Sequence, residues 1–307
     1  MTRPAPAVPP GWPEPAVKSC IATVESLQLS DGRKLCVRRW PGSSPGTLVA
    51  LHGLLDSSEG WTGLFERMTC ARVAFDLPGF GYSEAPPRGS INGYARDIAE
   101  GLNKLGVERF TLVGHSLGGA VATAVAELLP DKVDALVLLA PAGFGRIHLA
   151  EAVSLPGVRS VVQAALPFAL SSRLAVTAGY LTMVTNGRAP ERDVVDRVTS
   201  RAGALTPGAR EGTRAVVDAG RSHDAFHRRR VDYHGPVFAL WGDQDRLVPA
   251  SHRHGLRVAF PQARIDLWRN MGHHPLSERF DDLIGLIHQA LGTVGEPAAR
   301  LPLSQAA

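Results

Sequence analysis

Short apolar segments recur along most of the chain and are separated by amphipathic ones. The apolar segments in the middle of the chain are continuous rather than alternating, which is typical of strands buried on both faces of a parallel sheet. The segments between them carry apolar residues at helical spacing. The pattern predicts strands at residues 20–29, 34–40, 47–52, 72–76, 109–114, 134–140, 237–241 and 263–268, and helices at about 59–68, 90–105, 116–129, 251–259 and 276–291.

The order of these elements predicts an α/β fold. Strands that alternate with helices form right-handed crossover units, and such units build a mostly parallel central sheet with helices on both faces. The first two strands are an exception, because only the turn sequence Ser30-Asp31-Gly32 separates them. We therefore expect those two strands to form an antiparallel hairpin.

The alternation stops between residues 143 and 230. This stretch is rich in Ala, Val, Leu and Arg, has helical periodicity, and ends where the strand pattern resumes at Pro236. We interpret it as a helical insertion that forms a cap, because long insertions in compact domains are often functional. The alternative is a set of additional crossover helices with no cap role. The predicted division is a core at 18–142 and 231–292, a cap at 143–230, a flexible proline-rich arm at 1–17 and a flexible tail at 293–307.

Composition agrees with a globular protein and argues against several other classes. Of the 307 residues, 44% are hydrophobic and 20% are charged, which is near the average for soluble domains. The formal net charge of +4 is small for this length and the basic residues form no sustained stripe, so nucleic-acid binding is not expected. The N-terminal segment lacks the apolar region of a secretory signal, and no window is apolar enough to span a membrane. These features favour a cytoplasmic location.

The cysteines and a short basic run give no separate site. Cys20, Cys36 and Cys70 are too few and odd in number for a disulfide framework, so buried free thiols are the favoured interpretation. Cys20 and Cys36 lie in successive predicted strands and could nevertheless be neighbours.

The basic run at 227–230 is interpreted as a solvated surface, and the alternative is a contact for an acidic substrate or carrier. No metal-binding spacing is present, and no cofactor is expected.

The main chemical signal is the sequence Gly-His-Ser-Leu-Gly at 114–118, which fits the pattern Gly-x-Ser-x-Gly. An apolar strand precedes it and an Ala-, Val- and Leu-rich helix follows it, which is the context in which this motif presents a nucleophile. The glycines permit a tight turn, and the serine then lies at a helix N-terminus, where the dipole favours a developing anion. Ser116 is therefore the candidate nucleophile. The alternative is an ordinary glycine-rich turn with a solvated serine.

A serine nucleophile needs a base, and the base needs an acid that orients it. In folds with this turn the chain order is Ser, then Asp or Glu, then His. The seventh predicted strand is followed by Asp243 and Asp245, and we favour Asp245 as the acid with Asp243 as the alternative. The eighth is followed by His273 and His274 just before a helix, and we favour His273 as the base with His274 as the alternative.

Acyl transfer also needs hydrogen-bond donors for the negatively charged oxygen of the tetrahedral intermediate. The first candidate is the backbone N–H of Leu117, the residue after the nucleophile. We assign the second to the N–H of Leu54, in a loop where Gly53 lets the backbone approach closely. His52 is interpreted as a structural hydrogen-bonding residue of that loop, with a role as base as the alternative. The residues predicted to bind substrate are Gly53, His115 and Leu55.

Five motifs stand in a fixed order along the chain: His52-Gly53, Asp76-Leu77-Pro78-Gly79-Phe80-Gly81-Tyr82-Ser83, Gly114-His115-Ser116-Leu117-Gly118-Gly119, Trp241-Gly242-x-x-Asp245 and Gly272-His273. Together they resemble the motifs of the α/β-hydrolase superfamily, over residues from about 20 to 292. The resemblance implies an α/β-hydrolase fold with a Ser116–His273–Asp245 triad under a helical cap at 143–230.

Departures from related subfamilies narrow the reaction that the resemblance implies. Epoxide hydrolases and haloalkane dehalogenases carry Asp at the position of Ser116. Ring-fission C–C hydrolases usually have a glycine-richer loop after the His-Gly pair and Asn at the position of His115. Proline iminopeptidases resemble His-Gly-Gly-Pro-Gly, where this chain has Leu54-Leu55-Asp56. The classes that remain are carboxylesterase, lipase and thioesterase.

The apolar stretch at 149–181 favours a substrate with a lipophilic acyl or alkyl group, although an apolar cap face also simply packs on the core. The prediction is a serine hydrolase that cleaves a carboxylic ester or thioester of a lipophilic small molecule through an acyl-enzyme. That small molecule is the expected partner. The alternatives are C–C bond hydrolysis, acyl transfer or perhydrolysis on the same fold, and a ligand-binding protein without catalysis.

Overall fold

An eight-stranded sheet with helices on both faces makes up the core of the fold. The computed structural model describes residues 22–185, 187–202, 214–215, 217–218, 220–221 and 224–292. The predicted arm at 1–17, the predicted tail at 293–307 and Cys20 lie outside these residues.

The strands occupy the positions that the apolar segments predict. They are β1 (Thr23–Gln28), β2 (Lys34–Trp40), β3 (Ser44–Leu51), β4 (Cys70–Phe75), β5 (Phe110–His115), β6 (Val133–Leu139), β7 (Val237–Gly242) and β8 (Arg264–Trp268). Their order in the sheet is β1-β2-β4-β3-β5-β6-β7-β8. The pairs β1–β2 and β2–β4 are antiparallel and the other pairs are parallel. Both the predicted hairpin and the predicted α/β architecture are confirmed.

The helices of the core follow the strands. They are α1 (Thr62–Glu66), preceded by a short 3-10 turn, α2 (Ile91–Lys104), α3 (Leu117–Leu128), α8 (Arg253–Ala259), α9 (Pro275–Glu278) and α10 (Phe280–Gly292). The single helix predicted at 276–291 is divided, because the backbone of Arg279 leaves the helical conformation, with φ −144° and ψ 51°, and ends α9. No individual helix in the described ranges combines the length and the apolarity needed to cross a membrane.

Alternate residues of the central strands face opposite sides of the sheet, and both sides are covered by helices. In β3, Val49 and Leu51 pack with α2 and α3, whereas Leu48 and Ala50 pack with α1 and α10. All four side chains are completely buried. Burial on both faces explains why this strand reads as a continuous apolar run instead of an alternating one.

Helices α4 (His148–Ser154), α5 (Pro156–Ser171), α6 (Arg173–Gly179) and α7 (Arg192–Ala202) lie in the chain between β6 and β7. These two strands are neighbours in the sheet, so the helices leave the sheet and return to it at one place. The described residues between 143 and 230 are called the insertion below. The insertion contacts the loops that follow β3 and β8, through Leu55 and His273 respectively.

Two smaller predictions can be compared with the structure. Cys70 is a buried free thiol, as expected, and Cys36 is also buried. In the basic run at 227–230, Arg229 donates two hydrogen bonds to the carboxylate of Glu127 and its guanidinium lies 4.8 Å from the centre of the Phe226 ring. Its side chain is nevertheless 42% exposed, in agreement with a solvated surface.

Candidate active site

Ser116 lies at the turn between β5 and α3. Its backbone has φ 53° and ψ −116°, a conformation that is costly for a residue with a side chain. Hydrogen bonds hold the turn: the Ser116 N–H donates to the carbonyl oxygen of Leu139 at 2.9 Å, and the Ser116 carbonyl accepts from the N–H groups of Gly119 and Ala142, each at 3.0 Å. The strained turn fixes the position of the serine side chain at the carboxyl edge of the sheet.

Two glycines of the motif are required because backbone segments approach closely at this turn. A Cβ at Gly114 would lie 2.4 Å from the carbonyl oxygen of Gly118. A Cβ at Gly118 would lie 2.2 Å from the carbonyl oxygen of Leu51 in β3. Neither distance is possible for a side chain, so the spacing Gly-x-Ser-x-Gly follows from the packing of α3 against the sheet.

Three side chains from separate loops form a continuous hydrogen-bonded chain. The Oγ atom of Ser116 lies 2.8 Å from Nε2 of His273, and Nδ1 of His273 lies 2.7 Å from Oδ2 of Asp245. All three residues are buried. Because a carboxylate only accepts, Nδ1 carries the imidazole proton, and Nε2 is left to accept a proton from the serine. The arrangement can therefore move a proton from Ser116 to His273.

The structure brings Asp245, and not Asp243, to the histidine. The side chain of Asp245 is fully buried, and its Oδ1 accepts hydrogen bonds from the N–H groups of Leu247 and Val248 at 2.9 and 2.8 Å. These bonds fix the carboxylate and leave Oδ2 for His273. The side chain of Asp243 is exposed to solvent, only two residues earlier in the same loop.

His274 points away from the serine, in contrast to His273. Its Nδ1 lies 2.8 Å from the hydroxyl oxygen of Ser277 in α9. Burial is the main cause that lowers the pKa of His274 to about 4, and the nearby His273 and Arg197 act in the same direction. His274 is therefore a neutral, buried ring beside the reacting groups.

His115 supports the loop that carries His273. Its Nε2–H donates a hydrogen bond of 2.8 Å to the backbone carbonyl oxygen of His273. Burial, and then the rings of His274 and His273, hold the pKa of His115 well below its usual value, so the ring stays neutral. The sequence predicted that His115 contacts substrate. The ring is buried between Ser116 and the histidine loop, which fits a positioning residue, and the contact with substrate stays a prediction.

The two predicted oxyanion donors belong to loops that meet at Ser116. Leu117 is the first residue of α3, and Leu54 follows Gly53 in the loop after β3. A Cβ on Gly53 would lie 3.3 Å from Cβ of Ser116 and 2.9 Å from Nδ1 of His115, so this loop passes directly beside the serine. Within the described part of the chain, neither the Leu54 N–H nor the Leu117 N–H donates to a protein acceptor. Both amides are thus available to an oxygen bound at the serine.

The loop after β3 is held by buried polar contacts. Nδ1 of His52 donates to the carbonyl oxygen of Gly53 at 2.7 Å, and Nε2 accepts from the N–H of Leu77 at 2.9 Å. Asp76 accepts from the N–H of Ser58 at 2.6 Å and is completely buried. His52 therefore has the structural position expected from the sequence. Sequence reasoning gave Asp76 no role, although it begins one of the five motifs.

An ion pair connects the same loop with the insertion. Nε of Arg197 in α7 lies 3.3 Å from Oδ1 of Asp56, and each side chain is 13% exposed. Arg197 also pairs with Asp193 one turn earlier in α7. Burial, and then the Asp56 carboxylate, raise the pKa of the neighbouring Tyr180. Sequence reasoning missed this pair, because its members are 141 positions apart and neither belongs to a motif.

Apolar side chains of the insertion cover the tip of this loop. Leu55, with φ 63°, packs against a cluster in which Leu170, Val176, Val195 and Val198 are buried. A groove of about 860 Å³ lies between α7 and the core and reaches His274. The insertion therefore places apolar side chains against the loop after β3, and the groove opens beside His274 in the histidine loop. This position of Leu55 agrees with the predicted contact with substrate but does not test it.

In the described ranges, no group of three or more His, Cys, Asp or Glu side chains is arranged so that it could hold a metal ion. The buried polar groups beside Ser116 are instead hydrogen-bonded to one another, as the pairs His273–Asp245 and His274–Ser277 illustrate.

Comparisons with known proteins agree with one another. The family model described as alpha/beta hydrolase fold matches residues 46–279. An uncharacterized protein of Mycobacterium tuberculosis is 31% identical over 272 residues, which are 85% of this chain and 79% of that protein. An sn-1-specific diacylglycerol lipase of Mus musculus is 27% identical over 252 residues, 78% of this chain and 79% of the lipase. The crystal structure of a hydrolase from Pseudomonas aeruginosa is similar in fold, with a TM-score of 0.71 and 22% identity, covering 88% of this chain and 98% of that one.

Proposed function

The chain belongs to the alpha/beta hydrolase family, and from that premise we propose that it is a serine hydrolase acting on a carboxylic ester or thioester of a lipophilic small molecule. The observation that supports this most directly is the distance of 2.8 Å between Ser116 Oγ and His273 Nε2, with the other ring nitrogen of His273 on a buried carboxylate. One relative is named as a diacylglycerol lipase, which acts on a lipophilic ester.

The first half of the proposed reaction forms an acyl-enzyme. His273 takes the Ser116 proton at Nε2 while the serine oxygen attacks the carbonyl carbon of the substrate. The N–H groups of Leu54 and Leu117 bind the oxygen that becomes negatively charged. The protonated His273 is stabilised by Asp245, which stays ionised. His273 then gives its proton to the leaving alcohol or thiol, and the ester between Ser116 and the acyl group remains.

The second half returns the enzyme to its starting state. A water molecule gives its proton to Nε2 of His273 and attacks the acyl carbon of the Ser116 ester. The same two amides bind the oxygen of the second tetrahedral intermediate. Collapse of that intermediate releases the carboxylic acid and returns the proton to Ser116. Every step uses side chains and amides of this chain, with water as the second substrate.

We propose that the insertion acts as a cap that selects lipophilic substrates. The cluster formed by Leu170, Val176, Val195 and Val198 lies against Leu55, next to the amide assigned to the oxyanion. An acyl or alkyl chain placed there would be removed from water, and each buried methylene group contributes about 0.8 kcal/mol. A polar substrate of the same length would gain nothing from this contact.

The test is a kinetic panel of nitrophenyl esters and acyl thioesters of increasing acyl length. We expect a rapid release of about one nitrophenolate per enzyme molecule, followed by slower turnover, and a preference for the longer esters. Ser116→Ala should lower kcat/KM by at least about a thousandfold, because the residual rate then depends on the oxyanion donors and binding alone. Ser251→Ala, an exposed serine, is the matched control. Full ester turnover by Ser116→Ala would contradict the proposal.

A further inference from the structure

Helix α5 is apolar on its exposed side as well as on its buried side. Leu166 and Leu170 face the interior, in contact with the cluster above Leu55. Val161 and Phe168 lie on the opposite side of the helix and are 66% and 72% exposed. Arg159 is the only charged residue among the sixteen of this helix. A helix that is apolar all round is normally covered on all sides, by protein or by lipid.

The exposed apolar surface continues onto the neighbouring helices. Helices α4 and α6 pack on either end of α5. Leu149 in α4 is 48% exposed, Leu155 between α4 and α5 is 57% exposed, and Leu174 in α6 is 80% exposed. The insertion apolar face is defined here as Leu149, Leu155, Val158, Val161, Phe168 and Leu174. Most other large apolar residues with comparable exposure are scattered singly over the core. An extended exposed apolar face, in contrast, is typical of an interaction site.

The shape of this surface favours a flat lipid boundary. The helical segments Gly157–Ser171 and Arg173–Val184 together are as apolar as a membrane-spanning segment, but they are bent by 108° at their junction. The first segment has fifteen residues and the second has twelve, so as helices they extend about 22 Å and about 18 Å, and each is shorter than the roughly 30 Å hydrocarbon layer of a bilayer. Two such helices in a bent arrangement can lie along the boundary between headgroups and acyl chains, with their exposed side in the lipid.

The charges around this surface are mostly positive. Residues 146–190 carry a formal charge of +3, compared with +4 for the whole chain. They contain one acidic residue, Glu151, and four basic ones, which are Arg146, Arg159, Arg173 and Arg188. The side chains of Arg146 and Arg173 are 67% and 62% exposed, and each also pairs with a carboxylate, that of Glu151 or of Asp196. A cleft of about 650 Å³ lies beside the first turn of α5, and the described residues that line it include four arginines and Asp218. Guanidinium groups beside an apolar surface complement a layer of anionic phosphate headgroups.

We infer that the insertion apolar face docks onto the surface of a bilayer that contains anionic phospholipid. Val161, Phe168 and Leu174 would enter the boundary region, and the arginines of the insertion would contact phosphate groups. The inference concerns binding and does not depend on ester hydrolysis. Docking on the bilayer would nevertheless bring lipophilic substrates close to the insertion. They would arrive on the exposed side of α5, and the buried side of α5 faces the cluster that packs on Leu55.

The experiment measures sedimentation of the full chain with vesicles of phosphatidylcholine alone, and of phosphatidylcholine with about one-third phosphatidylglycerol. We expect binding to the anionic vesicles that is at least about tenfold stronger than to the neutral ones and that weakens with salt. The double variant Val161→Ser/Phe168→Ser should lose at least about tenfold in affinity for the anionic vesicles. The matched control Leu128→Ser/Val258→Ser changes two exposed apolar residues of the core and should bind like the wild type.

Two further measurements make the result decisive. Circular dichroism melts and turnover of a short, water-soluble ester should be the same for both double variants, which separates lipid binding from folding and from the chemistry at Ser116. The inference is overturned if the wild type binds neither vesicle, or if both double variants bind anionic vesicles equally well. Equal binding to the two vesicle types would remove the role of the anionic headgroup. A dimer that only Val161→Ser/Phe168→Ser disperses, without vesicle binding, would assign the face to a second copy of the chain.

Discussion

The backbone N–H of His273 donates a hydrogen bond of 2.7 Å to the carbonyl oxygen of Val184, so the loop of the proposed base is held directly by the insertion. Gly272 lies against the same carbonyl oxygen. A Cβ atom at position 272 would be only 2.4 Å from that oxygen. On the other side of the serine, Arg197 and Leu55 connect the insertion with the loop of the proposed oxyanion donor. The insertion therefore supports both loops between which the ester would react.

The first prediction concerns the choice between the two carboxylates. In Asp245→Asn, the amide oxygen should keep the hydrogen bonds from the N–H groups of Leu247 and Val248, which turns the NH2 group towards His273. Nδ1 of His273 must then accept, so its proton moves to Nε2 and the ring can no longer take the proton of Ser116. We expect kcat to fall about ten-thousandfold, with little change in the melting temperature.

The control for this prediction is Asp243→Asn, measured in the same assay. Its carboxylate is exposed, so the substitution should leave kcat within about twofold of the wild type. A larger loss in Asp243→Asn than in Asp245→Asn would show that the orienting acid had been assigned to the wrong residue.

The sequence predicts the sheet and the positions of the candidate groups because both depend on short segments. Continuous apolar runs such as β3 and β5 are buried on both faces, and each is recognisable without its neighbours. Ser116, Asp245 and His273 each follow a strand of the parallel sheet, and the carboxyl ends of such strands meet at one edge. The fold and the loops that carry the site can therefore be derived locally.

The support of the site could not be derived in this way. Asp243 and Asp245 lie in one loop, and only the three-dimensional turn at Leu247 decides which carboxylate is buried. The orientation of His115 depends on a contact with His273, which is 158 positions away. Contacts between distant segments leave no periodic trace in the chain, so the hydrogen bond from His115 to the loop of the proposed base could not be predicted.

The second prediction concerns the ion pair between Arg197 and Asp56. A double-mutant cycle of Arg197→Met and Asp56→Asn, measured as free energy of unfolding, should give a coupling energy of about 1–2 kcal/mol, because both side chains are largely buried. Each single variant should also lower kcat about tenfold, since the amide of Leu54 lies on the loop that the pair holds. Asp193 remains present in all four proteins, so its own pair with Arg197 is lost in both proteins that carry Arg197→Met.

The pair between Arg173 and Asp196 is a suitable comparison, because it joins α6 to α7, the helix that carries Arg197, but is exposed. Its side chains are 62% and 52% accessible, so the same cycle should give no more than about 0.5 kcal/mol. Equal coupling energies for the two pairs would mean that burial does not strengthen the contact between the insertion and the loop after β3.

The third prediction concerns the loss of stability in acid that buried histidines cause. Burial lowers the pKa of His274 from 6.5 to about 4, so the folded protein binds its proton less well than the unfolded chain does. The stabilisation is complete above about pH 6.5 and is lost as the pH falls towards about 4. Between about pH 8 and about pH 5, His274 should account for a loss of about 2 kcal/mol in the free energy of unfolding. The pKa of His115 is lowered in the same direction, so the wild type should lose more than this.

Denaturant unfolding of His274→Gln at these two pH values isolates the contribution of one ring. Glutamine does not titrate, so the variant should lose about 2 kcal/mol less than the wild type over this interval, even if it is less stable at the higher pH. His254→Gln replaces an exposed histidine of α8 and should keep the wild-type dependence on pH. If His274→Gln loses as much free energy of unfolding as the wild type, the acid sensitivity arises from other groups. The neutral ring beside His273 could then accept a proton without disturbing the fold.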